Sequence, residues 1–360
     1  AAGFTDNESL PLAGSRRLMN ELLRDQALGQ AALQYGSTAG DDALIGRTAA
    51  RIAELDDSPT GQAAVGLAKR LVITHGSQQF LYLLTEALCD PGDIVLVEDP
   101  TYFVYLGIMQ SRGLAGRGVR MNRDGIDLGH LEQVLESLRR SGELKRVKML
   151  YLVSYYQNPT GRSTGFAVKQ GALELLRKYE RAAGHPIYLL EDAAYRELGF
   201  AGEPAPSALT VGGAADRVIY SGTYSKPFAT GVRVGFGVLP EALLDPVLRI
   251  KANHDFGTSH LIQQLVLKAL ESGEYVKNLK KVQARYRAKA GAMIAALESF
   301  FPDSVDWEKP EGGLNIWAGL PRSTNTGMKS GFFKRALEQD VLYVPGNLCY
   351  TDDATRRKPS

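Results

Sequence analysis

Short apolar runs recur along the first two thirds of the chain, and more polar segments separate them. The runs are RLVIT (70–74), DIVLVE (93–98), VKMLYLV (147–153), PIYLLE (186–191) and RVIYSG (217–222). They are rich in β-branched and aromatic residues and almost continuously hydrophobic, which is typical of strands buried on both faces of a sheet. The pattern therefore predicts five strands inside an α/β domain.

Helical periodicity fills the intervals between these runs, at 77–89, 101–112, 127–140 and 164–183. Strands that alternate with helices favour a doubly wound, mostly parallel sheet. From about residue 241 the pattern changes to long helices, followed by a glycine-punctuated strand in GGLNIWAGL and a helix at 329–340. We expect a large α/β domain over 31–255 and, over 256–360, an interdomain helix with a small α+β C-terminal domain; residues 1–30 form an N-terminal segment on the small-domain side.

Composition narrows the class of partner. The 360 residues are 44% hydrophobic and 23% charged, and 42 basic residues nearly balance 40 acidic ones. A net charge of +2 gives no overall field that would draw the protein to nucleic acid or an anionic membrane, so small molecules or copies of the same chain are the expected partners. No apolar run is long enough to cross a bilayer. The two cysteines form no CxxC pair and the five histidines show no metal-ligand spacing, which favours a reduced, cytoplasmic protein without a metal.

Chemically useful residues follow the predicted strands. In an open α/β sheet, ligands bind outside the carboxyl ends of the strands, so these positions should meet at one edge. The motif HGSQQ opens a helix whose free N–H groups could hold an anion. The later strands are followed by an aromatic ring, an amide, a carboxylate and two cations: Tyr102, Asn158, Asp192, Lys226 and Arg233.

Two of these residues have ordinary structural explanations when each is taken alone. Lys226 could be a solvated loop charge, and Tyr102 could be a core tyrosine. Asp192 is different, because a carboxylate that emerges from an apolar strand needs a cationic partner to offset its desolvation. The regular spacing of 34 residues from Asn158 to Asp192 and from Asp192 to Lys226 is what successive βα units would produce.

Three motifs in this order, NPTG, EDAAYRELGF and SGTYSKPFATGVRVGF, resemble those of the fold type I pyridoxal-phosphate aminotransferases of class I/II. YGSTAGDDALI, THGSQQ and EDPTYF add further matches, and the resemblance covers essentially all of 1–350. Among the subgroups, the chain is most similar to the 2-aminoadipate, kynurenine and aromatic amino acid transaminases. The resemblance implies a homodimer that transfers the amino group of an L-amino acid to a 2-oxo acid such as 2-oxoglutarate.

The resemblance also implies a role for each residue. Lys226 would hold pyridoxal 5'-phosphate as a Schiff base and then move the proton of the substrate Cα. Asp192 would keep the pyridine nitrogen protonated, so that the ring accepts electrons. Asn158 and Tyr195 would hydrogen-bond the ring oxygen, and Tyr102 would stack on the ring. The phosphate would be held by Ser77, Gln78, Thr223, Ser225, Arg233 and, from the partner subunit, Tyr35. The family commonly has serine where this chain has Thr223, which keeps the hydroxyl.

Two other functions remain open at this point. A lyase or decarboxylase of the same fold would use the same cofactor and lysine, and an aminotransferase-like domain can also belong to a transcription regulator with a DNA-binding domain upstream. The near-neutral charge argues against the second. The resemblance further implies an arginine that binds the substrate carboxylate. The nearest candidates, Arg356 and Arg357, lie in a polar run that favours an exposed loop. We therefore expect a longer protein, with both ends missing here and that arginine beyond Ser360.

Overall fold

The computed structural model describes residues 5–58 and 60–351. Its helices are α1 (Leu12–Arg24), α2 (Gln26–Leu33), α3 (Asp42–Leu55), α4 (Thr60–Ala68), α5 (Gly76–Leu88), α6 (Phe103–Ser111), α7 (Leu128–Arg140), α8 (Phe166–Ala183), α9 (Glu241–Asp255), α10 (His260–Glu271), α11 (Glu274–Phe300) and α12 (Gly331–Glu338). Its strands are β1 (Leu71–Thr74), β2 (Ile94–Asp99), β3 (Ala115–Asn122), β4 (Gly125–Ile126), β5 (Val147–Val153), β6 (Tyr188–Asp192), β7 (Val218–Thr223), β8 (Gly235–Val238), β9 (Asp306–Trp307) and β10 (Ala318–Gly319). None of the helices in these ranges is long and apolar enough to cross a membrane.

Eight strands form one sheet in the order β1-β8-β7-β6-β5-β2-β3-β4. The central pairs, from β3 through β2, β5 and β6 to β7, are parallel. Strand β8 runs antiparallel to both β1 and β7, and β4 runs antiparallel to β3. The predicted doubly wound, mostly parallel sheet is confirmed, and all five predicted strands lie in it.

Both faces of the sheet are buried. Along β2, Val95 and Val97 belong to one hydrophobic cluster, whereas Ile94 and Leu96 belong to the other. This alternation follows from the two-residue period of a strand, and it explains why the runs read as continuously apolar. Helices α7 and α8 pack against each other on one face, and α5 contacts α9, β7 and β8 on the other.

The C-terminal part of the described chain is mostly helical, as predicted. The strand predicted over GGLNIWAGL is wrong in extent, because only Ala318–Gly319 forms a strand there, paired with Asp306–Trp307, and Gly312 makes an isolated bridge with Gly199. Helix α12 lies within the predicted 329–340. The division into domains at 30 and 255 stays a prediction.

The sheet brings the carboxyl ends of three neighbouring strands together. Val153, the last residue of β5, is in register with Asp192, the last residue of β6, which in turn is in register with Ser221 of β7. The loops that follow these strands therefore begin side by side, and they carry most of the chemically useful residues named above.

Candidate active site

Asp192 lies at the end of β6 with only 3% of its surface exposed. Its Oδ2 accepts a hydrogen bond of 2.9 Å from the Tyr151 hydroxyl, and its Oδ1 accepts one of 3.1 Å from the main-chain N–H of Ala194. Burial raises the pKa of Asp192 to about 6, although both hydrogen bonds favour the charged form. A carboxylate held in this way would be stabilised by a cation brought by a ligand.

Lys226 lies in the loop after β7 and is partly buried. Burial lowers the pKa of its amine, and the nearby Arg233 charge lowers it further. Both effects favour the neutral amine, which is the form that acts as a nucleophile or a base. The structure thus places on this loop an amine whose surroundings suit covalent chemistry.

Arg233 lies beside the N-terminus of α5, and together they form the candidate anion cradle. Arg233 has φ 51°, in the left-handed region, and its Nη1 contacts the Ser225 hydroxyl at 3.5 Å. Gly76, the first residue of α5, has φ +72°, and a Cβ there would lie 2.7 Å from Arg233 Nη2. A Cβ on Gly235 would lie 2.4 Å from Ser77 N, so the backbone of β8 touches the first turn of the helix. The guanidinium therefore lies beside the free N–H groups of the helix, an arrangement that could hold an anion.

Asn158, Tyr195 and Tyr102 lie close to Asp192. The Asn158 amide donates to the Tyr195 hydroxyl at 3.4 Å. Burial raises the pKa of Tyr102 to about 12, the Asp192 charge raises it further, and the Arg233 charge opposes this. Tyr102 thus lies near both the carboxylate and the guanidinium, and its stacking on a cofactor ring stays a prediction.

The remaining predicted residues differ in how near they lie to the residues described above. Ser77 and Gln78 lie in the first turn of α5, and Gln78 is exposed. The Thr223 hydroxyl donates to Val234 O at 3.1 Å and accepts from Ser225 N at 3.0 Å. Tyr35 is 82% exposed and packs edge-on against Phe256, so within one chain it does not join the group. Arg356 and Arg357 lie outside the described residues.

Three buried residues next to this group were not predicted from the sequence, namely Tyr151, Glu98 and Gln157. Tyr151 is the hydroxyl partner of Asp192. Glu98 accepts from Gln157 Nε2 at 2.9 Å, and both side chains are fully buried. A signal was present, since Tyr151 and Glu98 are polar residues inside apolar runs, where a polar group needs a partner.

Comparison with known proteins assigns the family. A family model described as aminotransferase class I and II matches residues 4–357. The 2-aminoadipate transaminase of Thermus thermophilus is 33% identical over 349 residues, which are 96% of this chain and 80% of that protein. The aromatic-amino-acid aminotransferase 1 of Thermococcus litoralis is 32% identical over 346 residues, or 96% of this chain and 78% of that protein. The crystal structure of Pyrococcus horikoshii kynurenine aminotransferase in complex with PMP has a TM-score of 0.86 and 30% identity, and the match covers 97% of this chain and 81% of that one. This chain belongs to the class I and II aminotransferase family.

Proposed function

We propose that this aminotransferase uses pyridoxal 5'-phosphate to transfer the amino group of an aromatic L-amino acid or of 2-aminoadipate to a 2-oxo acid such as 2-oxoglutarate. The single observation that carries the proposal is the buried Asp192 carboxylate, whose protein partners are a hydroxyl and a main-chain N–H, at the same sheet edge as Lys226 and the anion cradle. The substrate class follows the names of the relatives, which act on aromatic amino acids, 2-aminoadipate and kynurenine.

The residues present fit this cofactor. The site formed by Arg233 and the start of α5 suits a phosphate dianion, because a planar guanidinium and helix N–H groups are preferred phosphate ligands. The raised pKa of Asp192 shows that burial has left its charge poorly compensated, and a protonated pyridine nitrogen would supply the missing cation. The lowered pKa of Lys226 suits an amine that must react with an aldehyde.

The protein contributes charge placement and proton transfer. The bound cofactor supplies an electron-accepting ring that stabilises negative charge at the substrate Cα. Lys226 Nζ would take the proton from Cα and deliver it to the C4′ carbon, acting first as base and then as acid. Asp192 would hold the proton on the ring nitrogen, and the Tyr151 hydroxyl keeps Asp192 oriented. Asn158 and Tyr195 would hold the ring oxygen and thereby orient the ring.

We also propose that the enzyme works as a homodimer in which Tyr35 reaches the phosphate of the partner subunit's site. Tyr35 and Phe256 are both exposed and in contact with each other, and a second copy would cover this apolar surface. A reduced, cytoplasmic location is proposed because Cys89 and Cys349 are both free thiols.

Separate half-reactions test the proposed function. The enzyme loaded with cofactor is mixed with one amino acid at a time, from aromatic, 2-aminoadipate, branched and acidic classes, without an acceptor. We expect loss of the visible absorbance and one equivalent of the 2-oxo acid, with the largest second-order rate constant of the half-reaction for the aromatic acids and 2-aminoadipate. Addition of 2-oxoglutarate should restore the spectrum. Release of ammonia or of a cleaved fragment, with the absorbance retained, would instead indicate lyase chemistry.

A further inference from the structure

Glu98 is a carboxyl group enclosed inside the large sheet. It is the fifth residue of β2, and none of its surface is exposed. Its Oε2 accepts from the main-chain N–H of Val153 at 3.0 Å and from Gln157 Nε2 at 2.9 Å, whereas its Oε1 lacks a hydrogen-bond partner among the described residues. The carboxyl group thus ties the end of β2 to the end of β5 and to the loop that follows.

Gln157 continues this connection in two directions. Its Nε2 also donates to Pro100 O at 2.8 Å, and its Oε1 accepts from both the N–H and the hydroxyl of Thr160, at 2.9 and 2.7 Å. Asn158 is the next residue after Gln157, and Tyr102 lies two residues after Pro100. One side-chain amide therefore joins the chain segments that present these two residues.

The surroundings of Glu98 keep it uncharged. Burial raises the pKa of Glu98 to about 8, and the nearby Asp192 charge adds to this effect, against the two hydrogen bonds. Val153 lies between the two groups, because it bonds Glu98 through its N–H and is in register with Asp192. A neutral Glu98 can accept both hydrogen bonds without placing a second negative charge next to Asp192.

We propose that Glu98 and Gln157 are a positioning pair for the aminotransferase site, which act through Asn158 and Tyr102 and do not touch cofactor or substrate themselves. This inference rests on the proposed function. The pair determines where the Asn158 amide and the Tyr102 ring lie relative to Asp192. Asp192 itself is held separately, by Tyr151 and Ala194. Loss of the pair would leave Asp192 in place for the nitrogen of the cofactor ring. It would displace the groups that should contact the rest of that ring.

Four variants test the pair. Gln157→Leu and Glu98→Leu remove the hydrogen bonds at similar side-chain size, and Glu98→Gln keeps an oxygen acceptor while it removes the acid. Gln170→Leu is the control, since Gln170 is an exposed glutamine on α8 whose side-chain amide donates to Glu174. For each purified protein we would measure thermal unfolding without cofactor, the Kd for pyridoxal phosphate, the circular dichroism of the bound cofactor, and kcat and KM.

Both leucine variants should raise the Kd for pyridoxal phosphate about tenfold and lower kcat about 10- to 100-fold, with KM changed by less than about threefold. The visible circular dichroism should also change, because it reports ring orientation. Glu98→Gln and Gln170→Leu should keep Kd, kcat and KM within about threefold of the parent values and leave the circular dichroism of the bound cofactor unchanged. If a leucine variant does not fold, Thr160→Val, which removes one hydrogen bond to Gln157, should shift Kd and kcat in the same direction by about threefold.

Unchanged Kd and circular dichroism in Gln157→Leu, or in Thr160→Val where it replaces that variant, would overturn the inference. So would a loss in Glu98→Gln as large as that in Glu98→Leu, because the acid itself would then be needed, or an equal loss in Gln170→Leu. A parent protein that binds no pyridoxal phosphate would instead contradict the proposed function.

Discussion

Replacement of Asp192 by asparagine should stabilise the cofactor-free protein and at the same time impair its chemistry. Asparagine has the shape of aspartate and can keep both hydrogen bonds, since its oxygen can accept from Ala194 N and its amide can donate to the Tyr151 oxygen. The change therefore removes a buried charge with little change in packing.

The size of the effect follows from the pKa. Burial raises the pKa of Asp192 from 3.8 to about 6, and this difference corresponds to about 3 kcal/mol. Because the folded state binds the proton more tightly than the unfolded state, the stabilising contribution of this group is complete below pH 3.8 and is lost as the pH rises to about 6. Asp192→Asn should thus equal the parent in stability near pH 3.8 and exceed it by up to about 3 kcal/mol at pH 7.

The assay is urea unfolding of both cofactor-free proteins at several pH values between 4 and 8, repeated in a Glu98→Gln background so that the second buried carboxyl group cannot titrate. Asp303→Asn, at an exposed position, is the control for loss of one negative charge. With cofactor bound, Asp192→Asn should abstract the Cα proton at least about 100-fold more slowly. A stability difference that does not grow between pH 4 and pH 6, or a normal half-reaction rate, would refute the reasoning.

Three further predictions concern other residues. Lys226→Ala should lose the visible absorbance of the bound cofactor and lower turnover at least about 100-fold, and an unchanged spectrum would show that another residue holds the cofactor. A mixed dimer with Tyr35→Phe in one subunit and Lys226→Ala in the other should keep one intact site if Tyr35 acts in trans; sedimentation that shows an active monomer would contradict this. Lys169→Met should cost about 3–5 kcal/mol in urea unfolding, because it leaves the fully buried Glu191 without its cation at 2.8 Å, and Lys169→Met with Glu191→Gln should recover most of the loss.

The sequence predicted the central strands well because their signal is local. Strands β2, β5, β6 and β7 are apolar on both faces, so a window of six residues is enough to identify them. The sequence pattern predicts no strand for β3 or β8. Strand β3, AGRGVRMN, contains two arginines and two glycines and is held by pairing with β2. Strand β8 is four residues long, and its Gly237 is needed because a Cβ there would lie 1.9 Å from the Phe80 ring.

The positions of the candidate site residues were predictable where they come at or after the end of a strand, and not where a contact crosses strands. Asp192 ends β6 and Lys226 follows β7, so the topology alone brings them to one edge. Tyr151 lies on β5 and reaches Asp192 on β6, and the sequence contains nothing that says which neighbour its hydroxyl meets. Glu98 could have been singled out by the same reasoning as Asp192, since it too is a carboxyl group in an apolar run and would need a partner to offset its desolvation.

Three buried carboxyl groups near this edge are compensated in three different ways, and the difference supports the role proposed for Asp192. Glu191 forms an ion pair with Lys169 at 2.8 Å, so its charge is already neutralised by the protein. Glu98 has a pKa raised to about 8 by burial and remains uncharged at neutral pH, so it has no charge to offer a ligand. Asp192 has a hydroxyl and a main-chain N–H as hydrogen-bond partners and a pKa of about 6, so at neutral pH it is ionised and poorly compensated. Because adjacent side chains on β6 point to opposite faces, Lys169 can neutralise Glu191 on one face while Asp192 stays available to a cationic ring on the other.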